Sequence, residues 1–281
     1  LPASLLRNNG DGTFTDVTYE TGLFKHLRPT QSAVFADFNN DGWLDIYFGN
    51  ESRKESEPYY NELFLSDGKG KFNEVGKEAG VDVICFSKGV ASADYNNDGW
   101  MDIVVSSQGT RNYLFRNDTG KNGGKVKFTD VTKEAGVENP IKSFPVAFLD
   151  YDNDGWQDLY IATYDADNCD YDNAAEYFNK PVKGEYSILY HNNGDGTFTD
   201  VTKQVSMQRA MTVMGLNYGD IDNDGWLDIY NGTGTPNYTS LVPKIMFRNN
   251  GGKQFQDVTT AGGFGHVQKG HGIGFGDVDN E

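Results

Sequence analysis

The sequence predicts an all-β chain, a β-propeller of four-stranded antiparallel blades, and three observations carry that reading. An acidic phrase recurs, a second phrase recurs between its copies, and the spacing leaves room for four short strands per unit. The acidic phrase is DFNNDGWLDIYFGN from Asp37, DYNNDGWMDIVVSS from Asp94, DYDNDGWQDLYIAT from Asp150 and DIDNDGWLDIYNGT from Asp220, with DVDNE from Asp277 beginning a fifth copy. Their first positions lie 57, 56, 70 and 57 residues apart, so one unit carries an insertion. The second phrase is LLRNNGDGTFTDVTYETGL at 5–23, LFLSDGKGKFNEVGKEAGV at 63–81, LFRNDTGKNGGKVKFTDVTKEAGV at 114–137, LYHNNGDGTFTDVTKQV at 189–205 and MFRNNGGKQFQDVTTAGG at 246–263. A chance motif does not bring its neighbours along.

Each unit reads as strands A to D. Strand A is rich in small residues and precedes the acidic phrase, as in GVASAD at 89–94 and GIGFGD at 272–277; glycine and alanine suit the crowded innermost position of a blade. Strand B follows the acidic phrase as an apolar, β-branched run such as LDIYF or MDIVV. Strand C is the LFRN-like segment, and Asn-Gly or Asp-Gly turns, whose residues tolerate positive φ, lead into strand D, such as TFTDVT. The blade repeats span 31–87, 88–143, 144–213 and 214–270, with partial blades at 1–30 and 271–281, in one domain over 1–281. A start at strand C and a stop inside an acidic loop lead us to expect truncation at the C-terminus, with residues for two or three more blades missing after Glu281.

The acidic phrase has the donor order of a calcium loop: side-chain oxygens at positions 1, 3 and 5, glycine at 6, a backbone carbonyl at 7 and a further oxygen at 9. The predicted ligands are Asp37, Asn39, Asp41, Trp43 and Asp45; Asp94, Asn96, Asp98, Trp100 and Asp102; Asp150, Asp152, Asp154, Trp156 and Asp158; Asp220, Asp222, Asp224, Trp226 and Asp228; and, in the fifth copy, Asp277, Asp279 and Glu281. Each tryptophan would serve through its carbonyl. An EF-hand needs a glutamate at position 12, where the first copy has Phe48 inside a strand, so the loop joins strands and not helices. Asp, Asn and Gly also form turns without metal. Three or four carboxylates within nine residues, however, repel one another unless a cation sits among them. Oxygen-only, flexible loops favour Ca²⁺ over Mg²⁺, about one ion per complete blade, four or five in all. One ion per blade is expected to be structural, and one more carboxylate apiece predicts tighter binding at the Asp150 and Asp220 loops.

Net charge is −17, and the four complete loops hold 14 carboxylates. Four Ca²⁺ would leave about −9. The acidity is therefore partly a metal inventory, and it disfavours nucleic acid, which wants a basic stripe. The sequence has no long apolar run for membrane insertion.

The D-x-[DN]-x-D-G-x-x-D loop before a strand, with L-x-x-N-x-G-D-G-x-F-x-D-V-T between copies, resembles FG-GAP/VCBS repeat proteins. The phrase DVTKEAGV is similar to ASPIC/UnbV-type and cartilage acidic proteins. The resemblance covers residues 5 to 281, although an ASPIC region is lacking. It implies a propeller, usually seven-bladed, of the integrin α type with calcium between strands A and B. It also implies an extracellular protein serving adhesion or recognition of a protein or glycan; beside that, we expect an extracellular, cell-surface or periplasmic location and a place in a larger assembly.

Function is expected away from the repeat. The A–B and C–D turns share one face and the B–C and D–A connections the other. The irregular B–C connections at 50–61, 164–187 and 231–243 offer a binding surface. The 164–187 loop carries Tyr164, Asp165, Asp167, Asp170, Tyr171, Asp172 and Tyr177, a mixture suited to sugar hydroxyls, a basic peptide or a cation. Its bland reading is a solvated loop packed on its neighbour. The chain reads as non-enzymatic, with a polysaccharide lyase on the same scaffold as the alternative. His26, His191, His266 and His271 suggest no zinc or hydrolase site, and no histidine–carboxylate pairing is evident along the chain. Cys85 and Cys169 leave a single disulfide open. Asn50, Asn117, Asn231 and Asn237 stand in N-x-[ST] sequons.

Overall fold

The computed structural model describes residues 3–53, 58–235 and 242–276. It is built from antiparallel sheets whose strands follow one another in chain order. A two-stranded sheet pairs β1 (Leu6–Asn8) with β2 (Phe14–Asp16). The first complete blade is β3 (Thr30–Ala36), β4 (Asp45–Asn50), β5 (Glu62–Ser66) and β6 (Phe72–Glu74). The second is β7 (Ser87–Ala93), β8 (Asp102–Ser107), β9 (Tyr113–Asn117) and β10 (Phe128–Asp130). The third is β11 (Ser143–Leu149), β12 (Asp158–Thr163), β13 (Ile188–Asn192) and β14 (Phe198–Asp200), and the fourth β15 (Val213–Gly219), β16 (Asp228–Thr233), β17 (Ile245–Asn249) and β18 (Phe255–Asp257). This is the A-B-C-D order read from the repeats. The sequence-based strand A at 272–277 is not formed over its described residues 272–276, although the segment runs against β15, where Asn217 Nδ2 donates to the Ile273 carbonyl at 3.1 Å.

Helix appears where none was expected. After three of the D strands the chain makes one turn, α1 (Thr18–Thr21), α2 (Gly76–Ala79) and α3 (Thr132–Ala135). The 164–187 insertion contains α4 (Cys169–Tyr177), a nine-residue helix and not a plain loop. Aspartates at 170 and 172 in its first turn favour the positive helix N-terminus.

Contacts group the chain into two compact units, Leu1–Asp94 with Asp98–Val105 and Leu114–Val131, and Tyr95–Asn97 with Ser106–Tyr113 and Thr132–Glu281. In the first unit Ile46, Phe48 and Phe64 pack with Leu23. In the second, Leu149, Tyr160, Leu189, Met207, Ile229 and Phe247 belong to one larger core. The B strands β4, β8 and β12 are buried along their whole length, which explains runs of apolar residues without strict alternation. Small residues stand where neighbours press close: a Cβ on Gly49 would meet the Val90 side chain at 2.8 Å.

Cys85 and Cys169 are both buried free thiols, so the structure has no bridge between them. Asn50, Asn117 and Asn231 are buried to 0–1% exposure, which removes them as glycan acceptors; Asn237 lies outside the described residues.

Candidate metal loops and the opposite face

The four acidic loops share one backbone design. The first aspartate folds the loop on itself: Asp37 accepts from the N–H groups of Asp41 (3.1 Å) and Gly42 (2.8 Å), and Asp94, Asp150 and Asp220 do the same in their loops. The fifth position accepts from the tryptophan N–H, as Asp154 does from Trp156 at 2.8 Å. Glycine at position 6 has φ of 86–89° in all four loops, a conformation that requires it.

Position 9 has a second task. Asp45, Asp102, Asp158 and Asp228 are completely buried. Asp158 accepts from Tyr151 N (3.1 Å) inside the loop and from Asn192 N (2.8 Å) at the end of β13; Asp45 bridges Phe38 N and Ser66 N in the same way. Each carboxylate thus ties the loop to strand C of its own blade while keeping further lone pairs for a cation.

The tryptophans also do more than offer a carbonyl. A Cβ on Gly68 would meet the Trp43 indole at 2.6 Å, and Gly120, Gly194 and Gly252 meet Trp100, Trp156 and Trp226 at 2.5, 3.1 and 2.8 Å. Each indole lies on its own blade's C–D turn, which puts the A–B and C–D turns at the same end of the strands. At the other end, bridges pair Glu51 with Phe86, Tyr60 with Ile84 and Tyr164 with Thr212, joining B–C connections to D–A connections.

Successive loops are linked through asparagines that the ligand pattern did not single out. At position 4, Asn40, Asn97 and Asn153 have φ of 54° and donate to the carbonyls of Gly99, Gly155 and Gly225 in the next loop at 3.0–3.2 Å. At the end of strand C, Asn117, Asn192 and Asn249 donate back to the position-2 carbonyls of Phe38, Tyr95 and Tyr151 at 2.7–2.9 Å. The rings at position 2 pack on the first residue of the next D strand, with centroids 5.6–6.0 Å apart for Phe38–Phe128, Tyr95–Phe198 and Tyr151–Phe255. The visible signal was the unvarying Asn at position 4 beside a position 3 that alternates between Asn and Asp.

The donor set fits a divalent cation. Asp150, Asp152 and Asp154 bring carboxylate oxygens within 4.8 Å of one another, as do Asp220, Asp222 and Asp228. Burial pushes the Asp158 carboxyl up to about 8 against its two N–H donors, with Asp152 and Asp154 adding repulsion. Burial likewise raises Asp45 to about 6, with Asp41 and Asp37 adding to it. A cation in the loop would relieve both the repulsion and the burial cost. The loops are not equivalent, because the residue before the last of strand C differs: Leu65, Arg116, His191 and Arg248. Arg248 pairs with Asp222 and, at 2.8 Å, with Asp224. His191 Nδ1 stands 3.3 Å from both Asp152 and Asp158, and His26 Nδ1 lies 2.7 Å from Glu62, so two histidine–carboxylate pairings exist that sequence reading did not find. Asp277, Asp279 and Glu281 lie outside the described residues.

On the opposite face the candidate ligand residues divide. Asp165 and Asp172 are buried and internally committed, Asp165 to Lys142 (2.6 Å) and Asn168, Asp172 to the N–H groups of Lys183 and Gly184. The Tyr164 ring packs at a tilt against Phe144, at 5.5 Å between centroids. Asp167 reaches solvent, with 86% of its side chain exposed. Tyr171 and Tyr177 are 46% and 82% exposed, and Phe178, not foreseen, is 67% exposed. Asp170, Asn173, Glu176 and Tyr177 of α4 line an open groove with Gln208 and Arg209. Among the described residues no helix is long and apolar enough to cross a membrane.

Comparison with known proteins agrees with the repeats. The FG-GAP-like repeat model matches residues 2–48, 50–105, 94–161 and 179–231. Cartilage acidic protein 1 of Mus musculus and of Homo sapiens are each 26% identical over 239 residues, 84% of this chain, and that of Xenopus tropicalis is 27% identical over 169 residues, 57% of the chain. The matches span 33%, 32% and 25% of those proteins, so this chain corresponds to a third or less of their length. Among solved structures, an Agrocybe aegerita lectin described as recognising non-reducing terminal N-acetylglucosamine aligns with TM-score 0.46 and 18% identity, over 90% of this chain and 59% of the lectin. The Vibrio cholerae biofilm matrix protein Bap1 aligns with TM-score 0.39 and 14% identity, over 82% of this chain and 39% of that one. With four repeat matches across most of its length and the same acidic loop in each complete blade, this chain belongs to the FG-GAP-like repeat family.

Proposed function

We propose that the chain is a calcium-braced, non-enzymatic recognition module that binds an extracellular protein or glycan through the face opposite its acidic loops. The observation that carries this reading is the division of labour between the two ends of the strands. One end is committed to four loops of one design, and the other carries the insertion with α4. There, exposed Tyr177 lines a groove with Asp170, Glu176 and Arg209, and Tyr171 and Phe178 are exposed on and beside the same helix. Aromatic faces beside carboxylates and a guanidinium suit sugar rings or a basic peptide. Calcium loops with three or four carboxylates and no bidentate glutamate fit the weaker affinities of extracellular modules, about 10⁻⁴–10⁻³ M. An extracellular location and a place in a larger assembly follow the same reasoning.

A glycan array and a capture experiment with extracellular proteins test the reading in 1 mM Ca²⁺. Binding that Tyr177→Ala weakens at least tenfold, with the melting temperature unchanged, is the expected result. Eliminative cleavage of an acidic polysaccharide by the purified chain would replace it with the lyase alternative.

A further inference from the structure

The four loops repeat, but the side chain one residue before the end of strand C does not. In the first blade it is Leu65, which offers no ligand atom. In the second it is Arg116, which pairs with Asp118 in its own C–D turn at 2.9 Å. In the fourth it is Arg248, which pairs with Asp222 and Asp224. In the third it is His191, whose Nδ1 is 3.3 Å from Asp152 Oδ2 and 3.3 Å from the fully buried Asp158.

We propose that His191 makes the Asp150 loop a mixed nitrogen–oxygen site for a transition-metal dication of the zinc, cobalt or manganese class, while the other loops keep oxygen-only ligand sets. The inference rests on the reading that these loops hold cations. Three observations carry it. His191 Nδ1 and Asp152 Oδ1 are buried atoms that make no hydrogen bond, and the 3.3 Å approaches of Nδ1 to the two carboxylates are ion-pair distances without hydrogen-bond geometry. The ring is held in place by Tyr151, edge-on at 6.2 Å between centroids, so Nδ1 faces the loop by packing. Asp152, Asp158 and His191 bring their ligand atoms within 4.8 Å of one another. Donors about 2.1 Å from a common metal lie about 3.0–3.4 Å apart for right-angled to tetrahedral arrangements, which matches the two 3.3 Å separations. Imidazole nitrogen is a ligand for borderline metals and a poor one for calcium.

The test uses the whole chain, stripped with chelator and resaturated with excess Ca²⁺, then titrated with Co²⁺. One Co²⁺ per chain should bind in the presence of Ca²⁺. His191→Leu, which places the residue of the first blade there, should lose at least tenfold in Co²⁺ affinity with its Ca²⁺ stoichiometry otherwise kept. Pulsed EPR of wild-type protein carrying substoichiometric Mn²⁺ should report coupling to an imidazole nitrogen, a readout that needs no variant. Ca²⁺ binding without retained Co²⁺, or bound metal with no nitrogen coupling, overturns the role of His191 and leaves the calcium reading intact. A chain that binds neither ion overturns both.

Discussion

At the level of single residues, the acidic loop is legible because its ligands lie within nine positions of one another. What is not legible is the second use of those residues. Asp45 looks like one more ligand, yet its burial and its bonds to Phe38 N and Ser66 N make it a clamp on strand C. Asp45→Ala leaves the buried Phe38 N–H and the half-buried Ser66 N–H without an acceptor, at about 1–3 kcal/mol each. Urea denaturation should therefore register a loss of roughly 2–6 kcal/mol in chelator as well as in Ca²⁺; a loss confined to Ca²⁺ would mean Asp45 acts only as a ligand. Asp118 provides a pH signature away from the loops' carboxylates. Partial burial opposes its charge, but Arg116, Thr129 and Lys121 together hold its carboxyl well below the ordinary range. Because the folded-state value is depressed, the stabilisation is complete above the unfolded value of about 3.9 and is lost as pH falls below it. Asp118→Asn should lower stability at pH 7 and flatten the decline in stability below about pH 4, measured by chemical denaturation across that range.

At the level of elements, the order of strands follows from the repeats because each phrase carries its own turn chemistry. The helix α4 was missed because its residues, CDYDNAAEY, bear no apolar stripe; its place is set by Asp172 binding the chain at Lys183 and Gly184 and by Ala210 N donating to Glu176. The pairing of His191 with Asp152 and Asp158 was equally hidden, since strand C lies more than thirty residues along the chain from the loop it faces. The asparagine links act at this scale too. Asn40→Gly keeps the positive φ and loses the bond to the Gly99 carbonyl, a cost of about 0.5–1.5 kcal/mol. Asn40→Ala adds about 1–2 kcal/mol of left-handed strain, so alanine should be the worse substitution in thermal melts. Equal melting temperatures for the two variants would mean that backbone conformation is not what Asn40 contributes.

At the level of the whole molecule, four acidic loops contribute 14 carboxylates to a chain of net charge −17, and under the proposed function a cation would hold each loop together. A ligand that binds the native state alone stabilises it by RT ln(1 + [L]/Kd), about 1–2 kcal/mol per site for 5 mM Ca²⁺ over a Kd of about 10⁻⁴–10⁻³ M. For a chain of this size that is about 2–9 °C for each site. Differential scanning calorimetry in 5 mM Ca²⁺ and in excess EDTA measures this directly. A melting temperature lower by at least 10 °C in EDTA and restored by Ca²⁺ is the predicted result, and an unchanged melting temperature would contradict the calcium-braced scaffold.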